Sequence, residues 1–161
     1  MYSHTHLTDR AVLRDLAAAI SRDRATTATL LSLIAEVDAR KLYLPAGYPS
    51  MYAYCMGELH LSEDTAWRRI TAARAARTFP AIFASLAKGE LHVSGVLLLE
   101  PHLTPENAQD LLTASVHKSK SEIEHLLAER FPKPDVPTLI RALPAPVRVT
   151  CVQVTEPREQ A

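Results

Sequence analysis

Apolar residues recur every three or four positions through most of this chain, which is the spacing of one face of an α-helix. The first such stretch starts at Thr8 or Asp9. Its apolar side consists of Val12, Leu13, Leu16 and Ile20. A second stretch spans Arg22–Leu42, with inward positions at Leu30, Leu31, Ile34, Val37 and Leu42. The pattern fits two helices or one long, bent helix, which either packs on its own domain or serves a dimer.

Two shorter helices joined by a tight turn follow at about residues 50–79. Ser50 and Ser62 stand directly before them, and serine is a preferred residue at a helix N-cap. The second helix of the pair, Glu63–Phe79, has a narrow inward stripe of Ala66, Ile70 and Ala73. Small residues there would let the two helices approach closely. The residues predicted to face outward are Trp67, Arg68, Arg74 and Ala75, with Arg69 on the flank.

The basic character of this second helix predicts a DNA-binding role. A short helix, a tight turn and a basic second helix are typical of a helix-turn-helix, whose second helix enters the DNA major groove. The residues expected to contact DNA are Thr65, Trp67, Arg68, Arg69 and Arg74, together with Lys118 and Lys120 at the start of the last helix. An ordinary helical hairpin with a solvated basic face is the alternative, because His60 replaces the glycine that is common in the turn.

Four more helices are predicted before residue 132. They are expected near Pro80–Lys88, Gly95–Glu100, Thr104–His117 and from Ser119 or Ser121 to Phe131. The predicted fold is therefore all-α, a multi-helix bundle of about seven helices that contains the helix-turn-helix within one domain, residues 1–131. Residues 132–161 contain six of the eleven prolines and are expected to form a Pro-rich linker or tail. Within it, Val147–Val154 alternates like a strand that lacks a partner.

Composition limits the possible functions. Eighteen basic and eighteen acidic residues cancel over the 161 residues, so the net charge gives no support to a nucleic-acid partner. The charge is nevertheless uneven, with five basic against three acidic residues at 62–90 and two against six at 91–129. The N-terminus lacks a signal peptide, and the longest apolar run is too short to cross a membrane. We therefore expect a cytoplasmic protein with no membrane partner.

No arrangement of residues in the sequence indicates catalysis. Four scattered glycines cannot form a phosphate-binding loop, and two cysteines cannot form a disulfide framework or an all-cysteine zinc site. The seven histidines show no metal-ligand spacing. Serine, histidine and aspartate occur without the strand–turn–helix context that exposes a nucleophile. We expect no catalytic residues, no metal and no cofactor.

Several strings in the chain resemble one protein family. They include YLPAGYPSM at residues 43–51, HKSKSEIE at 117–124, and an LS-x-x-x-A-x-x-R-I pattern followed by G-E-L-x-x-S. The residues that match these last two patterns are Leu61, Ser62, Ala66, Arg69, Ile70, Gly89, Glu90, Leu91 and Ser94. Over roughly residues 8–135, the chain resembles the helical N-terminal region of a group of bacterial HNH-endonuclease proteins.

This resemblance implies an accessory region without the cutting unit. An HNH nuclease needs a histidine base, an asparagine and a metal-binding histidine, and no histidine follows His125. The primary expectation is a DNA-binding module that does not itself cleave DNA, and a homodimer is one open arrangement. The alternatives are a protein-interaction module that binds or neutralises a nuclease or toxin, as an antitoxin does, or a truncated HNH endonuclease.

Overall fold

The computed structural model describes residues 5–132, and within these residues the fold is all-α, as the sequence predicts. It has seven α-helices and one short 3-10 turn, with no strand in the described part. The helices are α1 (Asp9–Arg40), α2 (Met51–Gly57), α3 (Glu63–Thr78), α4 (Ala81–Lys88), α5 (Val93–Leu99), α6 (Ala108–Ala114) and α7 (Lys120–Arg130), and the 3-10 turn is Glu100–His102. The predicted Pro-rich tail, with its alternating segment, lies outside the described residues apart from Pro132.

Helix α1 is one continuous helix of 32 residues, which decides between the two arrangements that the periodicity allows. The Thr8 side chain caps its start by accepting a hydrogen bond from the amide of Ala11. The helix ends at Lys41, which adopts the left-handed conformation with φ 53°. The prediction that Leu42 faces inward is wrong, because the chain has left the helix by then and Leu42 is 49% exposed.

The core lies beside the C-terminal half of α1. This half packs against α3 and α4, while α5 packs between α3 and α7. Five of the largest fully buried side chains come from five different helices: Leu31, Ile82, Leu99, Leu111 and Ile123. Six residues of α3 are buried, five of which are alanines, so neighbouring helices come close to its backbone. Helix α3 is therefore a central element of the bundle.

The helices α2 and α3 begin where the sequence predicts. The Ser50 hydroxyl accepts a hydrogen bond from the amide of Ala53 at 3.1 Å, and the Ser62 hydroxyl accepts one from the amide of Thr65 at 3.4 Å. In the turn between the helices, His60 has φ 51°, the left-handed conformation that glycine commonly supplies there. Histidine is therefore compatible with this turn, although it enters the conformation at a higher energetic cost.

The predicted bounds of α5 and α6 are wrong. Helix α5 begins two residues early, at Val93, because the Nδ1 atom of His92 caps it by accepting a hydrogen bond from Gly95. Helix α6 begins only at Ala108. Before it, residues 105–107 form a turn, across which Thr104 and Asn107 exchange two backbone–side-chain hydrogen bonds, of 2.8 and 3.3 Å. This reciprocal pair is the pattern of a capped helix start, so the Thr104 cap is present although the regular helix begins only at Ala108. Helix α6 also ends early, at Ala114.

Candidate interaction surfaces

The sides of α3 are assigned by the residues that they contact. The predicted inward stripe of Ala66, Ile70 and Ala73 is buried, as expected. The prediction that Ala75 faces outward is wrong, since Ala75 is only 6% exposed. Residues 68, 72 and 75 share one side of the helix, and Arg68 on that side donates a hydrogen bond to Ser94 of α5. Ala75 is therefore covered because α5 packs on this side.

One side of α3 remains open to solvent. The residues on it are Trp67, Thr71, Arg74 and Thr78, which follow the i, i+4, i+7, i+11 spacing of a single helix face. Trp67, the only tryptophan of the chain, is 55% exposed. We call these four residues the open face of α3. The acidic residues Glu63 and Asp64 are exposed at the beginning of the same helix.

The three predicted DNA-contacting arginines of α3 do not lie on one side. Successive residues of a helix are about 100° apart, so Arg68, Arg69 and Arg74 are separated from one another by about 100° to 140°. Arg68 lies beside α5 and pairs with Asp64 at 3.5 Å. Arg69 is half-buried. Burial raises the pKa of the Cys55 thiol in α2, and the charge of Arg69 opposes this rise. A DNA groove that contacts one side of α3 would therefore contact only one of these three arginines.

Arg74 is held by an acidic partner on α1. The Nε atom of Arg74 donates to one carboxylate oxygen of Asp38 at 2.7 Å, and its Nη2 atom donates to the other at 3.2 Å, so the pair is bidentate. The hydrogen bond with Asp38 raises the pKa of Arg74 above its already high ordinary value. The Asp38 side chain is only 17% exposed, whereas that of Arg74 is 63% exposed. The pair joins α3 to the C-terminal half of α1 and neutralises the main cation of the open face.

The remaining predicted site residues are dispersed. The Thr65 hydroxyl accepts a hydrogen bond from Ser62 at 2.8 Å within the N-terminal turn of α3. Lys120 is exposed and lies 3.6 Å from Glu124 in α7. Lys118 lines a cleft of about 550 Å³ together with Arg24, Gly89 and His92. Helix α5 lies between α3 and α7, so these lysines are not part of the open face.

The N-terminal half of α1 extends beyond the bundle. Every residue from Val12 to Thr26 is exposed, and burial begins only at Ala28. Asp9–Arg24, which we call the projecting half, is about 24 Å long at 1.5 Å per residue. Four large aliphatic side chains on it face solvent: Val12 (38% exposed), Leu13 (67%), Leu16 (55%) and Ile20 (42%). We call these four residues the projecting face.

The projecting face continues the side of α1 that packs on the bundle. Leu13 and Leu31 are 18 residues apart, which is five full turns, and so are Leu16 and Ile34. Leu31 and Ile34 are buried, at 0% and 3% exposure, where α3 and α4 cover the helix. The same side of one helix is therefore covered in its C-terminal half and uncovered in its N-terminal half.

Comparisons with family models, with curated proteins and with solved structures gave no match for this chain. The resemblance to the region that precedes HNH nucleases therefore stays a prediction. Among residues 5–132, no helix combines the length and the apolar composition needed to cross a membrane. Within the same range, no group of three histidine, cysteine, aspartate or glutamate side chains is arranged to hold a metal ion.

Proposed function

We propose that this chain is a protein-interaction module that docks through the projecting face. The observation that carries the proposal is that Val12, Leu13, Leu16 and Ile20 are exposed together on one side of a helix, in the half that projects from the bundle. Single exposed aliphatic residues are common, but a continuous apolar strip on a free helix is typical of a binding surface. A partner helix laid along it would follow a recurring mode of protein recognition.

The hydrophobic gain from such docking is substantial. The exposed fractions of the four side chains, between 38% and 67%, together correspond to about two fully exposed aliphatic residues. Covering them would contribute about 3–6 kcal/mol from this chain, and a comparable gain comes from the partner. Association costs about 4–15 kcal/mol, so a partner of matching apolar surface would bind reversibly.

The charges around the projecting face favour a protein over DNA. The projecting half has four arginines and three aspartates, which alternate closely along the helix. A polyanion attracts a surface with a clear excess of cations, whereas mixed charges suit the polar rim of a protein interface. The resemblance to HNH-associated regions supports a nuclease or a related protein as one class of partner, as expected for an accessory or antitoxin-like module.

Site-specific photo-cross-linking in the producing cells tests this proposal. A photoreactive amino acid at Leu16 should trap a protein adduct. The same group at Ala25 serves as the matched control, because Ala25 is exposed and lies nine residues along, about 180° around the helix. An adduct at position 16 and none at position 25 supports the proposal. Equal yields at the two positions, or no adduct at either, would contradict it.

DNA binding through the open face of α3 is the second candidate, and one observation favours it. Trp67 and Arg74 are exposed on one side of a helix that follows a tight turn, as a groove-binding helix requires. Because Trp67 is the only tryptophan, its fluorescence reports on this face during a titration with duplex DNA. If this candidate is right, Arg68→Ala with Arg74→Ala weakens binding and flattens its salt dependence by about one phosphate contact, since only Arg74 lies on this face.

The control for that titration removes the same charge elsewhere. Arg10→Ala with Arg14→Ala also deletes two cations, but from the projecting half. Equal losses in the two double variants would indicate only nonspecific attraction to a polyanion. A change in Trp67 fluorescence that does not depend on salt, or no change even at low salt, would exclude the open face of α3 as a DNA-binding surface.

A further inference from the structure

We propose that the occupant of the projecting face is a second copy of this chain, paired antiparallel along the projecting half of α1. This inference rests on the proposed function, since it names the partner of the same surface. The face is self-complementary in pattern as well as apolar. Leu13, Leu16 and Ile20 follow the 3,4 spacing with which two helices interlock side chains along a seam.

An antiparallel pairing has one register that matches both apolar and charged residues. If the two-fold axis passes between Leu16 and Ala17, Leu13 lies at the level of Ile20 of the second copy. In the same register Asp9 lies at the level of Arg24 of the second copy. Each of these pairings occurs twice in a two-fold dimer. The seam then has an apolar centre and an acid–base pair at each end.

The environment of Arg24 suits this role. Its guanidinium lies against Gly89, so closely that a Cβ atom at residue 89 would clash with the Arg24 Cζ atom. Arg24 therefore stands at the border between the projecting half and the bundle, where the apolar strip ends. The adjacent cleft has mixed charge, with Lys118 beside three acidic residues. The carboxylate of Asp9, in the first turn of an incoming helix, would meet the Arg24 guanidinium at this border.

The shape of the molecule allows the pairing. The uncovered side of the projecting half faces the same way as the side that packs on the bundle, so an incoming helix would extend the layer formed by α3 and α4. In an antiparallel pair the two bundles lie at opposite ends of the seam, about 24 Å long, and do not compete for space. A parallel pair would place both bundles at the same end, against each other.

Molecular mass in solution over a concentration series is the first test. The purified full chain, of 17.8 kDa, should approach twice that mass as its concentration rises. Leu13→Glu with Leu16→Glu should weaken association by about 100-fold or more, because a carboxylate would be buried in the seam without a partner. Ala25→Glu adds a negative charge on the opposite side and should associate like the wild type. Circular dichroism confirms that each variant keeps its helices.

A charge exchange tests the register. Asp9→Arg alone and Arg24→Asp alone each place like charges at both ends of a homodimer and should associate more weakly than the wild type. In an equimolar mixture of these two variants, the heterodimer has an acid–base pair at each end, so the mixture should associate more strongly than either variant alone. The double variant, Asp9→Arg with Arg24→Asp, also has an acid–base pair at both ends, so its homodimer should regain the wild-type affinity.

The double variant has a matched control. Asp15→Arg with Arg24→Asp makes the same exchange of residue types, but it leaves Asp9 in place opposite the new aspartate of the second copy, and residue 15 lies at the level of an alanine. It should therefore associate as weakly as Arg24→Asp alone. Loss in the single variants, and recovery in the Asp9→Arg, Arg24→Asp variant but not in this control, would support the register. The two ends of one projecting half are about 24 Å apart, so this recovery points to contacts between chains.

The outcomes separate this inference from the proposed function. A wild-type chain that stays at 17.8 kDa up to a few hundred micromolar overturns the second copy as occupant. In that case a Leu16 photo-adduct with a different protein leaves the proposed function standing, and the lack of any adduct removes both. The antiparallel seam is overturned if Ala25→Glu weakens the dimer as much as Leu13→Glu with Leu16→Glu does. It is also overturned if the Asp9→Arg, Arg24→Asp variant does not regain the wild-type affinity.

Discussion

The ion pair between Asp38 and Arg74 is the contact on which the choice between a protein-docking and a DNA-binding role depends most. If Arg74 is committed to Asp38, the open face of α3 has little charge to offer a phosphate. Replacing Asp38 by Asn and Arg74 by Gln, singly and together, gives a double-mutant cycle that isolates the interaction between the two side chains.

The structure sets the expected size of this interaction. The pair is bidentate, at 2.7 and 3.2 Å, and Asp38 is largely covered, which favours a strong contact. Arg74 is 63% exposed, however, so solvent screening places the coupling near the upper end of the range for surface pairs, at about 1 kcal/mol. For a domain of this size, that corresponds to about 2–4 °C in the melting temperature.

Urea unfolding of the four proteins, followed by circular dichroism, measures the cycle. We expect a coupling free energy of about 1 kcal/mol and unchanged slopes of the unfolding transitions. A coupling indistinguishable from zero would show that the pair contributes nothing in solution and that Arg74 is free. The reasoning would also be refuted if the wild-type chain bound duplex DNA as strongly, and with the same salt dependence, as Asp38→Asn, in which Arg74 is released.

Four further changes test how the bundle is built. Gly89→Ala should destabilise the fold by about 1–2 kcal/mol or more by urea unfolding, because φ is +75° and the new Cβ meets Arg24. Gly47→Ala has a similar backbone strain, at φ +84°, but its new Cβ would meet no atom within 4 Å, so it should lower the free energy of unfolding by less. Ser50→Ala should lower stability by about 1 kcal/mol through loss of the α2 cap. Ile82→Ala should cost about 2–5 kcal/mol in thermal unfolding, as a fully buried side chain is removed.

Local signals in the sequence predict the helices well because they depend on neighbouring residues. Ser50 and Ser62 cap α2 and α3 as expected, and the stripe of Ala66 and Ile70 is buried. The predicted start of α6 is too early, because a turn at residues 105–107 follows the Thr104–Asn107 cap, and spacing alone does not show where such a turn passes into regular helix.

The candidate surfaces are harder to predict because they depend on contacts that are distant in sequence. Periodicity shows that Leu13 and Leu31 lie on an apolar face of α1, but it does not show that one is buried and the other exposed. The partner of Arg74 is 36 residues away, at Asp38, and no local pattern links the two. A count of basic residues in α3 therefore overstates the charge available to DNA.

Amide hydrogen exchange over residues 12–24 tests most directly whether the projecting face is a docking surface. The measurement compares the dilute full chain with the complex trapped through Leu16, whether the occupant is a second copy or another protein. We predict rapid exchange in the dilute chain, since this half of α1 is exposed, and at least about tenfold slower exchange in the complex. Full protection already in the dilute chain, or equal rates in both states, would contradict the account.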